Sequence, residues 1–135
     1  MNMNEYSASP ESDGSIAGVL FQEASLSPVA CCTPVAAREI TRRQAETLAS
    51  IFKALADPNR IRILNLLANA AEPLCVCEFT SQLGISQGTV SFHLKKLVAV
   101  GLLGRQERGT WAYFSLEREG LGRLAAVFDV QEVMT

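Results

Sequence analysis

The sequence predicts a mainly α fold with one small β-hairpin, and three observations carry that prediction. Apolar residues recur at helical spacing in several separate stretches after Arg38. A tight Leu83-Gly84-Ile85-Ser86 connection joins two of these stretches. The segment from Leu103 to Leu116 has Arg108-Gly109 near its middle, and Trp111, Tyr113 and Ser115 alternate along its second arm.

Residues 1–37 read as a flexible acidic tail, because Ser, Pro, Gly and acidic residues dominate and no period persists. Its apolar cluster Val19, Leu20 and Phe21 is too brief to make a domain. Thr41 is the expected N-cap of a first helix whose stripe is Leu48, Ile51, Phe52 and Leu55. Asp57-Pro58 ends that helix and opens the next, with Asp as N-cap and Pro at the first helical position. Ile61, Leu64, Leu67 and Ala68 are its expected buried face. Pro73 is taken to open a third, short helix through Phe79 and Leu83 to Gly84. Ser86 caps a fourth helix running to about Val100, and Gly101 suits the left-handed turn behind it. A last helix over about 117–129 is expected to place Leu121, Leu124, Ala125 and Phe128 on one side. Helix-turn-helix followed by a hairpin is the winged helix-turn-helix arrangement. It is expected over residues 38–130, with 131–135 as a short C-terminal tail.

The 135 residues are 48% hydrophobic and 19% charged, enough for one packed domain. That length excludes a barrel enzyme of ordinary size and a two-domain nucleotide enzyme. No apolar run approaches the roughly 20 residues that span a bilayer. No secretion signal is legible at the N-terminus, so a cytoplasmic location without membrane contact is expected. The net charge of −2 conceals a division. Residues 1–37 hold Glu5, Glu11, Asp13 and Glu23 and no base, whereas residues 80–115 hold Lys95, Lys96, Arg105 and Arg108 against Glu107 alone. A local basic patch matters more to a polyanion than the whole-chain sum.

That patch centres on the fourth helix. At 100° per residue, Val90, Leu94, Leu97 and Gly101 share one arc with His93 at its edge, and Gly88, Phe92, Lys95 and Lys96 lie roughly opposite. An apolar back and a small, polar, basic front suit insertion into a major groove. Expected DNA contacts are Ser86, Gln87, Thr89, Ser91, Phe92 and Lys95, with Arg105 and Arg108 on the hairpin reaching adjacent backbone or the minor groove. His93, the sole histidine, reads better as a buttressing hydrogen bond than as a ligand or base contact.

The four cysteines form two close pairs, Cys31-Cys32 in the tail and Cys75-Val76-Cys77 at the start of the third helix. On a regular helix Cys75 and Cys77 lie about 200° apart, so they converge on one ion only if the first turn is distorted. Thiolates without nitrogen or oxygen partners suit soft ions, whereas lone buried cysteines are often mere small hydrophobes.

The runs Phe52-Lys-Ala-Leu-Ala-Asp-Pro-Asn-Arg-Ile-Arg-Ile-Leu64, Cys75-Val-Cys-Glu-Phe79 and Leu83-Gly-Ile-Ser-Gln-Gly-Thr-Val-Ser-Phe-His-Leu-Lys-Lys-Leu97 resemble the ArsR/SmtB family of metal-sensing repressors over about residues 40–128. The resemblance implies a winged-helix homodimer joined through its first and last helices. It also implies a double-stranded operator of inverted-repeat form. Gly88 and Phe92 stand where relatives often have Pro and His. Leu74-Cys-Val-Cys-Glu-Phe79 is similar to the metalloid site of arsenic-responsive members, with Thr80 at the position of their usual third Cys. Ala30-Cys-Cys-Thr33 is similar to the tail of actinobacterial arsenic sensors, and cadmium and lead sensors also pair tail cysteines with a helix Cys-x-Cys. The family's last-helix site has no histidine here and reads as absent.

The resulting expectation is a repressor that leaves its operator when Cys31, Cys32, Cys75 and Cys77 bind As(III) or Sb(III). Cd(II) or Pb(II) is the alternative inducer, and a thiol redox sensor of the same fold is a rival. An enzyme is not expected, since the chain has no Cys-x-x-Cys, phosphate cradle or convergent acid–base set.

Overall fold

A computed structural model describes residues 28–130. Five α-helices and three short strands run in the order α1 (Arg42–Leu55), α2 (Pro58–Ala68), β1 (Leu74–Cys75), α3 (Val76–Leu83), α4 (Gln87–Ala99), β2 (Leu103–Arg108), β3 (Trp111–Leu116) and α5 (Arg118–Ala126). A 3-10 turn, Pro28–Cys31, precedes them. The expectations for residues 1–27 and 131–135 lie outside the described residues.

Local chemistry sets the helix starts. Thr41 Oγ1 accepts from Gln44 N at 3.1 Å while Gln44 Oε1 accepts from Thr41 N at 2.9 Å, a reciprocal capping box. Asp57 Oδ1 accepts from Asn59 N at 2.8 Å, with Pro58 at the first helical position. Gly84 ends α3 in the left-handed region at φ 71, where a side chain is disfavoured. Ser86 then caps α4 through Thr89 N at 3.2 Å.

The core gathers Ile51 from α1, Ile63 and Leu67 from α2, Phe79 from α3, and Val90, Leu94 and Leu97 from α4. Leu102, Leu103 and Phe114 extend it under the sheet. Two predicted faces need correction. In α2 the buried residues are Ile63 and Leu67, while Ile61 and Ala68 are exposed. The stripe steps by four from Ile63, and α4 and β3 cover that side. In α5, which ends at Ala126 and not near 129, Gly120 is buried with Leu121 and Leu124 beside it, whereas Ala125, and Phe128 beyond the helix, are exposed.

The predicted hairpin is the larger part of a three-stranded antiparallel sheet of order β1-β3-β2. β2 and β3 pair from Leu103↔Leu116 to Arg108↔Trp111, and Gly109 turns the chain at φ 66. The extra strand replaces the first turn of the expected third helix. Leu74 pairs with Phe114 and Cys75 with Tyr113, so those two residues are extended and α3 begins only at Val76.

Residues before α1 also pack on this body. Val29 is 3% exposed, its amide donates to Val100 O at 3.1 Å, and Val35 N donates to Val127 O at 2.8 Å.

Candidate metal centre and nucleic-acid interface

The late start of α3 changes the geometry of the Cys-x-Cys pair. Cys75 is an extended N-cap residue (φ −93, ψ 169) and Cys77 lies in the first helical turn. The 200° separation of a regular helix therefore does not apply. The adjacent Cys75 thiol, with partial desolvation and the nearby Cys75 and Glu78 charges, pushes the Cys77 thiol above its ordinary 9.0. Cys75 is buried and Cys77 exposed, so one sulfur faces the fold and the other solvent. Glu78 Oε1 accepts from Cys75 N at 2.7 Å, which fixes the junction from the helix side. The Cys75↔Tyr113 pair fixes it from the wing side. Two adjacent thiols at this junction fit a soft ion, whose binding displaces their protons.

The other pair lies elsewhere along the chain. Cys31 closes the 3-10 turn that packs against α1 and α5, and half-buried Cys32 follows it against the core. Among the described residues no three His, Cys, Asp or Glu side chains form a cluster able to hold a metal ion.

The reading helix presents the two sides its sequence implies. Val90, His93, Leu94 and Leu97 are buried, whereas Gln87, Gly88, Thr89, Lys95 and Lys96 are exposed and Phe92 is half exposed. Ser91 is partly covered. Ser86 Oγ also donates to Thr89 Oγ1 at 2.9 Å, so the hydroxyls at the helix start bond to each other. Lys96 Nζ lies 5.2 Å from the Phe92 ring centroid. The wing arginines do not share a face. Arg105 bonds Glu107 Oε2 at 2.7 Å, whereas Arg108 bonds Gln106 Oε1 at 3.1 Å and stacks 4.8 Å over Tyr113. Positions three apart on a strand point to opposite sides.

His93 buttresses the helix as expected. Its Nδ1 accepts from Arg60 Nε at 3.0 Å, and its Nε2 lies 4.0 Å from Asp57 Oδ1. Burial holds His93 below its ordinary 6.5; Arg60 lowers it further and the Asp57 charge opposes both. Desolvation raises Asp57, but the Asn59 and Arg60 amides and the nearby His93 and Arg60 charges outweigh it and hold the carboxyl below 3.8. Arg60 was missed by sequence reasoning. It also donates to Ala54 O at 3.0 Å and lies 5.7 Å from the Phe92 centroid, linking α1, α2 and α4. A signal was available: a cation in the first turn of α2 opposes the helix dipole and needs a tertiary reason.

A helix-turn-helix whose second helix offers a polar, cationic front, followed by a two-stranded wing, defines the winged helix-turn-helix class. A family model for bacterial regulatory proteins of the arsR family matches residues 57–104. An arsenic resistance transcriptional regulator of Pseudomonas putida is 42% identical over 77 residues, 57% of this chain. The matched region spans 59% of that relative's length, less than two thirds. A cadmium resistance transcriptional regulatory protein CadC homolog of Staphylococcus aureus is 32% identical over 89 residues, 66% of this chain and 73% of the relative. Among solved structures, the homodimeric winged helix-turn-helix DNA-binding domain of a possible ArsR-family regulator from Mycobacterium bovis superposes with a TM-score of 0.54 at 32% identity. It covers 67% of this chain and 84% of that one. The chain belongs to the ArsR family, and these relatives are regulators rather than enzymes. No described helix is long and apolar enough to cross a membrane.

Proposed function

We propose that the protein is a metal(loid)-responsive transcriptional repressor that leaves its operator when cysteine thiolates bind As(III) or Sb(III). The observation that carries the proposal is the place of Cys75 and Cys77 at the junction of β1 and α3, the first extended and paired with the wing, the second in the opening helical turn. An ion held there touches both halves of the DNA-binding unit, since Cys75 is backbone-paired with the wing and Cys77 opens the helix before the turn. Cys31 and Cys32, on the acidic leader of residues 1–37, complete the thiolate set. Three sulfurs satisfy a pyramidal metalloid.

On DNA, Gln87, Thr89, Ser91, Phe92 and Lys95 face the major groove, Ser86 meets a phosphate, and Arg105 and Arg108 reach the flanking backbone. The exposure of all of these but the partly covered Ser91 on the α4 front and the wing supports these roles. Arg105 and Arg108 exchange surface bonds to Glu107 and Gln106 for phosphate, at little cost because exposed pairs are weak. The operator is an inverted repeat read by a homodimer, formed through α1 and α5. The Phe52–Phe128 ring pair at 5.4 Å, with Phe128 60% exposed, supports an apolar contact between two copies there.

Release needs only differential affinity: a 100-fold loss of operator binding is about 2.7 kcal/mol of coupling. The test is an operator titration with arsenite, antimonite, cadmium, lead and zinc on wild type, Cys31→Ser, Cys32→Ser, Cys75→Ser and Cys77→Ser. Arsenite and antimonite should release the wild type, and Cys75→Ser and Cys77→Ser should abolish release. Equal release of all five proteins rejects the thiolate site. The similarity to the cadmium regulator supports a second reading, a four-thiolate Cd(II) or Pb(II) sensor, for which the divalent ions alone would act.

A further inference from the structure

The reading helix ends in a Schellman turn. Gly101 N donates to Val98 O and Leu102 N to Leu97 O, both at 3.0 Å, with Gly101 at φ 93. Val100 O takes no part in those two bonds, and the Val29 amide donates to it at 3.1 Å. The Val29 side chain is almost fully buried. A Cβ on Gly120 would lie 3.1 Å from Val29 Cγ1 and would collide with Gly101 O, so the end of α4, the start of α5 and Val29 meet at one point. Cys31 and Cys32 belong to the same short segment. Ala30 alone separates Val29 from Cys31, and Cys32 N donates to Val29 O at 3.3 Å. A displacement of Val29 by more than about half an ångström would break the Val29–Val100 bond, and the cysteines adjoin Val29 through Ala30 and the Cys32 N–Val29 O bond.

We propose that Val29 is a latch: seated against Val100, Gly101 and Gly120 it holds the end of the reading helix in its DNA-competent place, and ion capture by Cys31 and Cys32 unseats it. The latch rests on the reading of those cysteines as ligands. It supplies a route by which a leader distant in sequence reaches α4, because one residue both caps the helix end and carries the adjoining thiol pair.

The experiment uses the full chain, a duplex selected by that chain from a random-sequence pool, and arsenite as the probe. Val29→Ala keeps all four cysteines and the backbone amide but leaves the seat half empty. Ultraviolet absorption of thiolate–arsenic bonds reads ion capture, and anisotropy of a labelled duplex reads DNA binding. The variant should capture arsenite within about two-fold of wild type, bind the ion-free duplex about ten-fold more weakly, and release it only about ten-fold on adding arsenite where wild type releases it about 100-fold. Val29→Ile, which keeps the seat filled with an apolar side chain, should show both effects at smaller size, and circular dichroism shows that each variant is folded. A folded Val29→Ala protein with wild-type duplex affinity and wild-type release overturns the latch. If wild type itself captures no arsenite, the ligand reading fails instead. The ion-free duplex then decides the seat: a ten-fold loss in Val29→Ala upholds it, and unchanged affinity rejects it.

Discussion

The two sides of α4 are thirteen residues of one helix under different physical rules. The back, Val90, His93, Leu94 and Leu97, is at most 5% exposed and sits in a core built by four other helices and strands. The front carries Gln87, Thr89, Lys95 and Lys96 in the open and Phe92 at 50% exposure. Volume decides what the back accepts, whereas charge and reach decide the front. Arg60 belongs to both sides, since it hydrogen-bonds His93 behind and lies over Phe92 in front.

The comparison breaks most plainly at Leu94. Leu94→Ala leaves a cavity among Val90, Leu97 and their neighbours, and denaturant unfolding should register a loss of about 2–5 kcal/mol. An unfolding curve that matched wild type would mean that the back is not the packed side. Next in size is Arg60→Ala, which leaves Ala54 O and His93 Nδ1 without their donor; about 1–3 kcal/mol of stability should go. Arg60→Lys cannot supply both bonds in that geometry and should recover only part of the loss.

Proton titration sharpens the same contrast. His93 sits below 6.5 in the folded chain, so in the window beneath 6.5 the unfolded chain binds the extra proton and acid favours unfolding. Stability from the neutral ring is complete above 6.5 and falls away as pH drops towards the folded value. Melting temperature should therefore decline between about pH 7 and pH 5, and His93→Gln should flatten that decline. Asp57, held below 3.8, adds a second loss only in stronger acid. Smallest in stability is Lys95→Gln on the front, expected within about 0.5 kcal/mol of wild type. Its effect belongs to DNA: the slope of log affinity against log salt should shrink by about 0.9 per half-site if Lys95 meets a phosphate. An unaltered slope with weakened binding would put Lys95 on a base edge, and an unaltered slope with unaltered affinity would remove Lys95 from the interface.

Local signals were the most legible. Thr41, Asp57 and Ser86 each cap the helix that follows them, because a cap is decided within three residues. The sides of α4 and the buttressing by His93 were also readable, since one helix period relates them. Faces near helix ends were less so. Ile61 and Phe128 continue an apolar spacing yet stand exposed, because burial depends on which neighbour arrives. The candidate thiol site divides in the same way. Its residue types and spacing were plain, but the approach of Cys75 to Cys77 depends on β1, and a two-residue strand has no period to detect. Val29 in Pro28-Val29-Ala30 gave no hint of its seat beside Gly120.

By itself, the sequence determined the helix-turn-helix with its wing, the caps, the cationic front of α4 and the presence of two soft-ligand pairs, because each depends on neighbours within a turn or a hairpin. Only the tertiary structure decided that Cys75 pairs with Tyr113 and leaves the helix, that Arg60 bridges three helices, and that Val29 closes the end of α4. Apart from the Arg60–Ala54 bond, six positions apart, those contacts join residues 33 to 71 positions apart, and such distant partners are selected by packing of the whole core, not by any local preference of the chain.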